Sequence, residues 1–75
     1  MKDWLRENGF TKNGSYIYDK IFDKGFGIVV TLLPNNVQGV ELFKGDDYFM
    51  LFDSRNEGYG DLKIEYLETL IRILG

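Results

Sequence analysis

The sequence contains no cysteine and no histidine. Without cysteine, no disulfide can staple so short a chain and no thiolate can hold a metal. Without histidine, the commonest general base is missing, and the Ser-His-Asp and Cys-His nucleophile systems go with it. Most transition-metal sites are excluded for the same reason, since they are built from imidazole and thiolate. No apolar run approaches the roughly 18 residues of a membrane span. The opening residues Met1-Lys2-Asp3-Trp4-Leu5-Arg6-Glu7 carry no signal-peptide pattern. These absences predict a cytoplasmic protein that is not an enzyme and needs no cofactor.

Seventy-five residues make a single domain, 1–75. A chain of this size buries only about 60% of its unfolded surface and is marginally stable alone. It must rely on its core, on a partner or on self-association. Six Phe, five Tyr and one Trp supply the apolar payload for a small sheet-and-helix core. The formal charge is −3, unevenly placed. Residues 1–37 hold five basic and four acidic residues, and residues 38–75 hold four basic and eight acidic ones. An acidic C-terminal half argues against binding a phosphate backbone, which needs a basic face. It suits a basic protein partner, or simply a solvated surface.

Residues 15–53 organise the rest. Four apolar stretches, Ser15–Phe22, Phe26–Leu32, Val37–Phe43 and Tyr48–Asp53, are separated by three short breaks. The breaks are Asp23-Lys24-Gly25, Pro34-Asn35-Asn36 and Lys44-Gly45-Asp46-Asp47. Breaks this short join only antiparallel neighbours. A helix is expected at each end. At the first, Gly9 suits the left-handed C′ position, and Phe10 at C″ can fold back on Leu5 at C3, as in a Schellman motif. At the second, Leu67, Leu70, Ile71 and Leu74 form an i, i+3, i+4, i+7 stripe over roughly 62–74, with Asp61 as N-cap. The expected fold class is therefore α+β: an antiparallel four-stranded meander in the order α-β-β-β-β-α, with both helices on one face.

The other sheet face should be polar in a two-layer domain. Strict alternation leaves Ile17, Val29, Phe43, Phe49 and Leu51 on it. Together with Tyr59 in the polar Ser54–Gly60 loop, they form the expected protein interface.

Three motifs suggest chemistry and fall short. Asp53–Gly58 brushes the calcium-loop pattern, but Arg55 and Ile64 occupy ligand positions. Gly58-Tyr59-Gly60 precedes a helix, yet Asp61 would put a negative charge where phosphate should sit. Lys24–Thr31 resembles the RNP1 octamer of the RNA-recognition motif, which stacks bases on sheet aromatics. Ile28 and Thr31 stand where that motif has aromatics, and only 23 residues precede it, too few for its topology.

The layout as a whole resembles small orphan proteins carried by phages and prophages of Gram-positive bacteria. The likeness rests on Trp4-Leu5-Arg6-Glu7-Asn8-Gly9-Phe10 at the start, a hydrophobic meander, and Tyr66-Leu67-Glu68-Thr69-Leu70-Ile71 at the end. It implies a cytoplasmic accessory protein that binds a host or phage protein, and it carries over no catalytic residue.

The expected function is thus a non-enzymatic protein-binding module, a phage-borne regulator or inhibitor. One alternative is a structural homodimer, through outer faces or a strand edge. Another is nucleic-acid binding through Lys20 and Lys24, or DNA mimicry by Glu41, Asp46, Asp47, Asp53 and Glu57.

Overall fold

A computed structural model describes residues 2–22, 25–34, 37–53 and 64–74. Its elements are α1 (Lys2–Glu7), β1 (Thr11–Lys12), β2 (Ile17–Ile21), β3 (Phe26–Leu32), β4 (Val37–Lys44), β5 (Asp47–Asp53) and α2 (Ile64–Leu74). The fold is α+β, and its sheet has five strands in the order β1-β2-β3-β4-β5, every neighbour antiparallel. The four-stranded expectation is corrected by β1, which lies ahead of the first expected strand. Thr11 and Lys12 pair with Asp19 and Tyr18 and extend the meander by one short edge strand.

α1 ends as its sequence prescribes. The Phe10 N–H donates to the Leu5 carbonyl at 2.9 Å and the Gly9 N–H to the Arg6 carbonyl at 3.2 Å. These are the two bonds of a Schellman motif, with Gly9 left-handed at φ 87°. The motif turns Phe10 back so that it is buried beside Leu5 in the core. Six residues cannot hold a helix alone, so this cap and the burial of Leu5 and Phe10 stabilise α1.

The hairpin turns follow from glycine. Between β4 and β5, Gly45 (φ 60°) and Asp46 form a two-residue loop closed by the Lys44–Asp47 pair. Positive φ at the first central residue alone fits a type II′ turn. Between β2 and β3, Gly25 (φ 81°) donates to the Phe22 carbonyl, and the Phe22 and Phe26 rings stack at 5.3 Å.

The core is a ladder. Tyr18, Val30, Val40 and Phe52 stand directly opposite one another across β2 to β5, and all four are buried. Ile28, Leu32 and Val37 extend this layer. Leu5 from α1 and Leu67 from α2 are fully buried in the same cluster, so both helices cover the same face of the sheet. Leu70, Ile71 and Leu74 line the flank of α2 against it. This is the stripe that the sequence shows. The Asp61 N-cap lies outside the described residues.

Two irregularities bend the ladder. One falls between Thr31 and Leu32, the other between Val40 and Glu41. In the second, Val40 faces Phe52 while Glu41 faces Met50, so Leu51 is an extra residue on β5. A bulge of this kind shifts the alternation by one, and every side chain before it changes sides.

Candidate functional site

The sheet face away from the helices is built row by row from the strand register. One row reads Ile21, Gly27, Phe43 and Tyr48; the next reads Asp19, Val29, Glu41 and Met50. A third brings Ile17, Thr31, Gly39 and Asp53 together. Among the described residues of these rows, the only charged side chains are carboxylates.

Phe43 is at the centre of the apolar end. Its ring packs across β3 onto Gly27, so closely that a Cβ on Gly27 would lie 2.5 Å from the Phe43 Cζ. On the other side it meets Tyr48, with ring centroids 5.8 Å apart. Met50 lies over Gly39, its sulfur 3.7 Å from where a Cβ would stand. Ile21 is 71% exposed, Tyr48 59% and Met50 51%. Large side chains this open on a sheet face mark an interaction surface more often than a random scatter of apolar residues does.

The residues expected to form an interface divide. Ile17, Val29 and Phe43 lie on this outer face, each half-buried. Phe49 does not. The bulge at Leu51 puts it opposite Leu42, on the helix side of the sheet, where it is 60% exposed. Leu51 does not join the outer face either: it packs against the core, and its carbonyl accepts the Tyr66 hydroxyl at 3.3 Å. Tyr59 lies outside the described residues. In exchange, the same bulge brings Tyr48 and Met50 outward, although strict alternation assigns them to the core side. Five apolar residues in succession, Tyr48 to Phe52, hid the shift, because a period of two leaves no mark in a uniformly apolar run.

Among the described residues, two hollows flank the sheet. One, of about 260 Å³, is lined by Phe26, Leu42, Lys44, Phe49 and Leu74 and is otherwise apolar. The other, of about 150 Å³, is lined by Lys2, Lys12, Ser15, Tyr16 and Tyr18 beside Leu32 and Pro34. The second sets the Ser15 hydroxyl among two lysines, Lys2 and Lys12, and two tyrosines. No group of three or more metal-binding side chains occurs among the described residues. No helix among them is long and apolar enough to cross a membrane.

The described residues bear on part of the nucleic-acid alternatives. Stacking on the RNP1-like segment needs alternate side chains on an open face, but Phe26 and Ile28 point to the helix-covered side, and Ile28 is fully buried. The described carboxylates of the expected DNA-mimicking set are spread over several places. Asp53 is 7% exposed, Glu41 is half-buried on the outer face, and Asp46 and Asp47 sit at the β4–β5 turn. Glu57, Lys24 and the calcium-loop-like and glycine-bearing segments lie outside the described residues. Compared with known protein families, with curated proteins and with solved structures, the chain matches none.

Proposed function

We propose that the protein is a small, non-enzymatic binding module whose protein partner docks on the open face of the sheet. The observation that carries this reading is the apolar row Ile21–Phe43–Tyr48, extended by Met50 and left uncovered by either helix. Among the described residues, Asp19 and Glu41 are the charges of the adjacent row. The complementary partner therefore presents an apolar patch flanked by lysine or arginine. Such charges steer encounter and fix orientation, while the buried aromatic contacts supply most of the affinity. The likeness to phage-carried accessory proteins supports a regulator or inhibitor of a host protein as the role.

The test is comparative affinity capture. Wild type and an Ile21→Lys/Tyr48→Lys variant are used as baits in nuclease-treated bacterial lysate. Both positions are more than half exposed, so the variant should keep its fold by circular dichroism. The expected result is a protein retained by wild type and lost with the variant. Identical captures from both baits would reject this face.

A further inference from the structure

The geometry points to a second copy of this chain as the occupant of the β5 edge, giving a two-fold dimer with one continuous ten-stranded sheet. β5 is the last strand of the sheet, and Asp47, Tyr48, Phe49 and Met50 are all exposed. An exposed, apolar edge strand is a template for pairing.

The register follows from the hairpin. A two-residue turn makes its closing pair, Lys44 and Asp47, a hydrogen-bonded one. Bonded and non-bonded pairs alternate along an antiparallel ladder. Phe49 is therefore bonded to Leu42, whereas the N–H and C=O of Tyr48 and Met50 point away from β4 to the edge that no described strand occupies. Before the bulge, only these two residues offer backbone groups outward.

Two copies of β5 related by a two-fold axis use all of these groups in one register. Phe49 lies on the axis opposite the partner's Phe49, and Tyr48 pairs with the partner's Met50 on both sides. Each such pair exchanges two bonds, so four backbone hydrogen bonds form. Sliding the strands by two residues would pair Tyr48 with itself and set Met50 against the turn, which loses bonds.

Side chains agree with this register. The two Phe49 rings meet as a non-bonded pair, where opposite side chains approach most closely. They lie beside the apolar hollow formed by Phe26, Leu42 and Leu74. Tyr48 and the partner's Met50 meet on the outer face as a sulfur–aromatic contact. The bulge at Leu51 bends the strand and ends the pairing. The contact is short, at the small end of specific interfaces, so a reversible monomer–dimer equilibrium is expected. Each copy carries net negative charge, so added salt should strengthen it.

Sedimentation of the full chain from low micromolar to millimolar concentration tests the proposal. The expected mass rises to twice the monomer and stops there. Phe49→Lys and Phe49→Glu should each remain monomeric, because each puts like charges together on the axis. Mixing the two should restore a one-to-one dimer, an outcome that requires residue 49 to face itself. Met50→Pro, which removes an outward N–H but no bond to β4, should also weaken self-association, and circular dichroism checks that each variant is folded. A monomer at every concentration, a dimer unaffected by Phe49→Lys, or no restoration on mixing would each overturn the proposal. So would growth beyond two copies, which would indicate β5 pairing with the uncovered end of β2 in an open chain.

Discussion

The ring of Phe43 fills the space beside Gly27 where a side chain would stand, and the two residues are direct partners across β3 and β4. An aromatic side chain in this way covers the gap that a glycine leaves in the middle of a strand. The pair explains how a residue with no side chain is tolerated at a buried position, and why Phe43 is half-buried on a face that neither α1 nor α2 covers.

Gly27→Ala should therefore be costly. Its new Cβ would lie 2.5 Å from both the Lys20 carbonyl oxygen and the Phe43 ring. Overpacking of this kind costs about 1–3 kcal/mol, read as a fall in the urea midpoint. Adding Phe43→Ala should relieve only part of it, because the backbone carbonyl remains in the way. Full recovery in the double variant would mean that the ring alone excludes the methyl group.

Gly9→Ala tests the α1 cap separately. The nearest atom to a new Cβ there is the Lys20 Nζ, at the end of a flexible chain that can move aside. The cost is thus the left-handed backbone, about 1–2 kcal/mol. A Gly9→Asn variant should lose less, since asparagine tolerates that conformation better. Equal losses from the two would point to a steric cause instead.

Leu67→Ala removes a fully buried side chain of the core cluster. The expected loss is about 2–5 kcal/mol, a large share of the roughly 4–11 kcal/mol available to a domain of this length. Ile73→Ala, on the same helix but 73% exposed, should change stability by no more than about 0.5 kcal/mol. Thermal unfolding of the two variants side by side would show whether α2 docks through the face described.

Tyr66→Phe deletes one exposed hydrogen bond, from the hydroxyl to the Leu51 carbonyl, while keeping the ring near Phe52 at 6.4 Å. About 0.5–1 kcal/mol should be lost. A larger loss in chemical denaturation would show that this bond holds the bulge in place.

What the sequence discloses and what it hides follow from the same physics. The α1 cap was legible because Gly9 and Phe10 are a local signal with one structural meaning. The strands β2 to β5 were legible because short breaks force antiparallel neighbours, and the Leu67 stripe because its period is helical. β1 was not, since Thr11 and Lys12 are polar and exposed and belong to the sheet only through backbone pairing with Asp19 and Tyr18. On the open face, Ile17, Val29 and Phe43 stand where alternation places them. Phe49, Leu51, Tyr48 and Met50 do not, because the bulge that sorts them lies inside an unbroken apolar run.

That bulge gives β5 a property best stated in terms of insertion and deletion. Removing Leu51 would leave Val40 opposite Phe52 and Glu41 opposite Met50 with nothing between them, so Tyr48, Phe49 and Met50 would keep their faces and only the bend in the strand would go. Removing any one of the paired residues from Tyr48 to Met50 would instead pull the turn out of step with β4. In a chain built this way, the bulge is the one place in β5 where a residue can be lost without changing what the protein presents.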